Sequence, residues 1–72
     1  MKLKVVIRPE TGGGYSASLP AMPGCHSQGD TLEETLANIR EAADLWIEVQ
    51  ADRALREAQT DGPPAQLQEI EL

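Results

Sequence analysis

Apolar and polar positions alternate at the start of the chain, with Leu3, Val5 and Ile7 on one side and Lys2, Lys4, Val6 and Arg8 on the other. A period of two belongs to a half-buried strand. It predicts a first strand over residues 2–8, ended by Pro9, which has no N–H to give to a ladder. Tyr15, Ala17 and Leu19 repeat the alternation and predict a second strand over 15–19. The three glycines of the intervening Glu10-Thr11-Gly12-Gly13-Gly14 accept nearly any backbone angle, so the two runs read as an antiparallel hairpin. Pro20-Ala21-Met22-Pro23-Gly24 is a turn on its Pro and Gly chemistry. Residues 25–29 are assigned to a third strand, chiefly because the chain must return there to a helix start.

From residue 32 the period changes. Leu32, Leu36, Ile39, Ala43, Trp46 and Val49 step by three and four and form one apolar stripe, widened by Ala42, Leu45 and Ile47. Thr31 with Glu34 three residues on has the capping-box spacing, and Asp30, Glu33 and Glu34 place negative charge at the positive end of the helix dipole. Good helix formers continue to Ala58, which predicts a helix over 32–58 about 40 Å long. A strand of seven residues spans only about 23 Å, so the C-terminal half of the helix overhangs the sheet. With Val49 and Leu55 on that overhang, a homo-oligomer (dimer or tetramer) follows, with Trp46, Val49 and Leu55 as candidate contacts. Residues 59–65, with Gly62-Pro63-Pro64, read as a stiff connector, and the alternating 66–72 as a final strand. The fold class is α+β: a three-stranded antiparallel meander, one long amphipathic helix and a last C-terminal strand, in a single domain over 1–72.

The chain has 72 residues and one cysteine, Cys25. A domain of this size buries only about 60% of its unfolded surface and depends on good packing or a partner subunit. The lone cysteine and the lack of a signal-like apolar run predict a reducing, cytoplasmic setting with no membrane association. Net charge is −6, which disfavours nucleic acid as the main ligand and suits a basic protein partner. With only Tyr15 and Trp46 as aromatics there is no base-stacking platform.

The run Gly14-Tyr15-Ser16-Ala17-Ser18-Leu19-Pro20-Ala21-Met22-Pro23-Gly24-Cys25, followed by Gly29-Asp30-Thr31 and Glu34, resembles the signature of the HicB-like antitoxin family. That signature is a Gly-Tyr strand, a Pro-x-x-Pro-Gly-Cys turn and a Gly-Asp-Thr helix start, continued along the helix by Asn38-Ile39-Arg40-Glu41-Ala42. The resemblance covers roughly the first two-thirds of the chain. It implies a partial RNase H-like fold with the last strand beside the first, oligomerisation, and a small basic HicA-like ribonuclease toxin as partner. One departure is Thr35, where the family often has Ala. Another is that nothing after the last strand is left to form the family's DNA-binding part, so DNA binding is not expected.

Candidate chemistry adds little. Cys25-His26 are neighbours on a strand and point to opposite faces, so they cannot form a nucleophile–base pair, and Cys25 reads as a small buried hydrophobe. One Cys and one His give no four-ligand metal site, and no cofactor is implied. A two-metal nuclease needs converging carboxylates, and Glu10 is the only acid near the first strand. The glycine run lacks the helix and Lys of a phosphate loop. The expected function is therefore protein binding without catalysis: toxin neutralisation, or otherwise a stand-alone oligomeric module. Glu10, Asp30, Glu33 and Glu34 are the candidate partner contacts by charge.

Overall fold

A computed structural model describes residues 2–59 and 62–71. Among these, β1 (Val6–Pro9), β2 (Tyr15–Ser18) and β3 (His26–Gly29) form an antiparallel sheet in the order β1-β2-β3, and α1 (Leu32–Ala58) follows. The register sets Ile7, Ala17 and Ser27 side by side on the face that meets the helix. Arg8, Ser16 and Gln28 lie in a row on the other face.

β1 differs from expectation at both ends. Pro9 is part of the strand, opposite Tyr15; β1 is an edge strand, where a missing N–H is tolerated. Residues 2–5 fall outside it, because β2 ends at Ser18 opposite Val6 and offers them no further partner. The alternation persists there nonetheless, with Leu3, Val5 and Ile7 half-buried and Lys2, Lys4 and Val6 exposed.

Two consecutive turns make the corner between β2 and β3. Met22 N–H donates to Leu19 O at 2.9 Å, and Cys25 N–H to Met22 O at 2.9 Å. The second places Pro23 and Gly24 at its centre with Gly24 at φ 88°, the left-handed angle that a type II turn requires at its third residue. The double turn carries Leu19, Met22 and Cys25 inward, where they join Ala17, Ile39 and Ala43 as the buried core.

The helix starts as its sequence dictates: Thr31 is the N-cap and its Oγ1 accepts the Glu34 N–H at 3.1 Å. Its first turn lies hard against the end of β3. A Cβ at Gly29 would stand 2.8 Å from both the amide nitrogen and Oγ1 of Thr35. Thr35 is fully buried, and its hydroxyl donates to Thr31 O at 2.7 Å. One turn later Asn38 Nδ2 donates to Gln28 O at 2.8 Å, and further on Trp46 Nε1 donates to Pro23 O at 3.1 Å. Three helix side chains are buried, Thr35, Ile39 and Ala43. Beyond Ala43 no described helix side chain is fully buried, with Leu45 61% and Val49 45% exposed, and past Trp46 and Ile47 the helix overhangs as its length demands.

The expected final strand is not formed: among the described residues 62–71 there is no strand. Gln59 Nε2 donates to Ala65 O at 3.2 Å as the chain reverses. Leu67 to Ile70 then border the overhanging helix at Ile47, Glu48, Ala51 and Asp52. The segment pairs with none of the described strands; Leu72, the last residue of the expected strand, lies outside the described residues.

The Gly29–Thr35 approach generates a direct test. Gly29→Ala should lower the unfolding free energy by about 2 kcal/mol or more, because helix backbone must move. Gly12→Ala, whose added Cβ meets nothing within 4 Å, should stay within about 0.5 kcal/mol of the parent. Urea denaturation of the two variants makes the comparison.

Candidate partner-binding site

Three of the four charge-selected residues come together. Glu10 follows β1 at the hairpin tip, Asp30 follows β3, and Glu34 lies in the first turn of α1. All three border one polar depression of about 320 Å³, together with Tyr15, Gln28 and Gly29. Glu33, exposed in the same helical turn, is not part of that wall. Local backbone geometry explains the gathering. Glu10 N–H donates to Gly14 O and Gly13 N–H to Glu10 O, both at 3.0 Å, which closes the hairpin tip into a tight loop. Gly14, at φ 78°, could carry no side chain there: its Cβ would sit 2.8 Å from Gly29 O. The close approaches at Gly14 and Gly29 thus bring hairpin tip, strand end and helix start to one corner.

The electrostatics of the corner favour a cation. The helix N-terminus contributes about half a positive charge, against three carboxylates around the depression. Among the described residues no group of three or more His, Cys, Asp and Glu side chains could hold a metal ion. The acids surround the depression without converging on one point.

The remaining motif residues build the corner and the core. Gly14, Gly24 and Gly29 serve backbone geometry; Ala17 and Cys25 are buried; Pro20 and Pro23 shape the double turn; Thr31 caps the helix. Cys25 is 4% exposed, and His26 is exposed on the outer face of the sheet. Among the residues selected as oligomer contacts, Trp46 is half-buried and bonded to Pro23, Val49 is exposed and Leu55 half-buried. Sequence reasoning passed over a second polar surface. Arg8, Ser16, Ser18, His26 and Gln28 share the outer face of the sheet around a shallow concavity of about 680 Å³. The period-two pattern of the strands was the signal that aligns them.

A three-stranded antiparallel sheet backed by one long helix, with open depressions on its surface, defines a small α+β module that presents surfaces. Residues 3–70 match the family described as HicB-like antitoxin of bacterial toxin-antitoxin system, and the chain belongs to that family. It is 54% identical over 44 residues to the UPF0150 protein ssr1765 of Synechocystis, covering 61% of this chain and 56% of that protein. To the UPF0150 protein ssl0259 of Synechocystis it is 48% identical, over 67% of this chain and 66% of the relative. To a UPF0150 protein of Archaeoglobus fulgidus it is 39% identical, over 68% and 71%. The chain thus spans a little more than half to two-thirds of the length of the first two. No solved structure matches it. No helix among the described residues is long and apolar enough to cross a membrane.

The burial of Cys25 is directly measurable. A thiol reagent should modify it on the order of a hundredfold more slowly in the native protein than in urea, since reaction waits on opening of the core. Equal rates under the two conditions would contradict the packing described.

Proposed function

We propose that this protein acts as an antitoxin, binding a small basic HicA-like ribonuclease and neutralising it through the depression bordered by Glu10, Asp30 and Glu34. The observation that carries this reading is the meeting of three carboxylates from three separate elements around one depression. Membership of the HicB-like antitoxin family supports it. A Lys or Arg side chain of the partner would enter beside Tyr15 and exchange water for carboxylate contacts. The net charge of −6 adds long-range attraction for a basic surface. The role is one of binding, with no catalytic step assigned to any residue, and its setting is the cytoplasm. Self-association through Val49, Leu55 and the exposed edge of Trp46 belongs to the same proposal.

A second reading, a stand-alone oligomeric module with another ligand, is favoured by a separate apolar cleft between residues 3–5 and the helix. Co-expression with a small basic protein encoded in a neighbouring reading frame separates the two. The antitoxin reading expects a stable complex in which that protein's ribonuclease activity is lost. A basic neighbour that stays free and active would leave the second reading.

Charge reversal locates the contact surface. The triple variant Glu10→Lys/Asp30→Lys/Glu34→Lys should slow association with the basic partner by about tenfold at low salt, the deficit shrinking as ionic strength rises. Glu33→Lys, one charge away from the depression, should change the rate by no more than about twofold. Stopped-flow measurement at two salt concentrations reads both, and an equal effect of Glu33→Lys and each single reversal would remove the depression from the interface.

A further inference from the structure

Charge is segregated along this chain. None of its twelve acidic residues lies within 1–9 or 15–29, so β1, β2 and β3 carry no carboxylate. Half of the six Lys and Arg residues, Lys2, Lys4 and Arg8, belong to the acid-free stretch that ends in β1. The net charge of −6 is therefore a property of the hairpin tip, the helix with its entry and the C-terminal segment, and not of the sheet.

The strand register gathers these groups on one face. Val6, Ser18 and His26 form one outward row, and Arg8, Ser16 and Gln28 form the next. All six border the shallow recess of about 680 Å³ on the outer side of the sheet, and none of the residues around that recess is acidic. Lys2 and Lys4 continue the outward alternation of Val6 and Arg8, exposed while Leu3 and Val5 line the cleft beside the helix. Glu10, the acid next after β1, borders the depression shared with Asp30 and Glu34 instead. The helix, with its carboxylates, packs on the other side of the sheet, and salt screens what reaches across.

Such groups suit a sugar–phosphate backbone. Arg8 and the two lysines neutralise phosphates, while the Ser16 and Ser18 hydroxyls, the Gln28 amide and the His26 ring offer short polar contacts to phosphate and sugar. An acidic protein is a poorer match. Interfaces between proteins centre on buried aromatic or aliphatic anchors, and of the residues around the recess only Val6 has a large apolar side chain. With no aromatic ring among them, the face holds a backbone and does not stack bases. Hydroxyl and amide groups both donate and accept, so they pair with the ribose 2′-hydroxyl, which DNA lacks. Three strands of four residues cover about 10 by 13 Å, room for a few nucleotides of one strand. We propose that the outer face of the sheet binds single-stranded RNA through its backbone, independently of sequence. Arg8 is the central contact, and Lys4 and Lys2 carry the track past the end of β1. The proposal does not rest on the antitoxin reading.

Fluorescence anisotropy of a short, labelled, mixed-sequence RNA titrated with the full chain tests this. With three phosphates neutralised, affinity should fall about twentyfold between about 50 and about 200 mM salt. Lys4→Glu/Arg8→Glu should weaken binding about tenfold or more at the lower salt, and flatten the salt dependence to about threefold. Arg53→Glu/Arg56→Glu makes the same change in net charge at exposed positions near the helix end, and should stay within about twofold of the unmodified chain. DNA of the same sequence should bind about threefold more weakly or worse. No binding at the lower salt would overturn the proposal. Equal losses in the two double variants would also overturn it, reducing the effect to net charge, as would equal affinity for the DNA. Polyglutamate that displaces the RNA as readily as unlabelled RNA does would assign the face to an acidic protein, and the proposal would fall.

Discussion

The whole arrangement depends on one close approach, that of the helix backbone at Thr35 to the strand end at Gly29. At this distance no side chain fits on Gly29, and Thr35 gives its hydroxyl to Thr31 O because burial leaves it no water. The contact sets the height of α1 above the sheet. Asn38 on Gln28 and Trp46 on Pro23 then set its direction, since each ties the helix to a backbone carbonyl of β3 or of the turn before it. With those points held, Ile39 and Ala43 drop onto Ala17, Leu19, Met22 and Cys25, and the small core closes.

That anchoring has a cost in coverage. A helix pinned to the β3 side cannot also lie over β1, and one of 27 residues cannot end where strands of four residues end. Apolar surface therefore remains in two places, the cleft beside β1 and the C-terminal half of the helix. The same anchoring keeps the acidic corner in shape. Glu34 is one residue from Thr35, Asp30 is one from Gly29, and the hairpin tip bearing Glu10 is fitted against Gly29 O by Gly14. Packing constraint and charge placement are thus properties of the same few residues.

Much of this was legible in the chain. The helix runs from Leu32 to Ala58, where the Thr31 cap, the 3.6 period as far as Val49 and the helix formers beyond it placed it, because these local signals agree. The hairpin and the sidedness of Leu3, Val5 and Ile7 were legible for the same reason. The limits of β1 were not, since they depend on where the partner strand stops, which is a non-local fact. Thr35 reads as a small departure from the family pattern, yet it is the most deeply buried side chain described, and only the approach of Gly29 reveals why. Charge alone could nominate Glu10, Asp30, Glu33 and Glu34 together; separating Glu33 from the rest required knowing which way the first helical turn faces. The C-terminal segment has a strand's alternation but packs along the helix instead of pairing with a described strand, so pattern without a pairing partner did not become a strand.

The two unfilled apolar surfaces and the acidic corner ask for different kinds of partner. Carboxylates around an open depression act at range and lose strength with salt, so they govern how fast a basic surface arrives and how it is oriented. An apolar cleft beside a free strand edge acts only at contact and is nearly indifferent to salt, so it governs what stays. In this chain the acidic corner lies at the start of the helix, while the cleft follows the helix from Leu36 to Ile47 on the β1 side. Occupying one does not obstruct the other. A module of this size therefore keeps a surface that acts at range apart from one that acts only on touching.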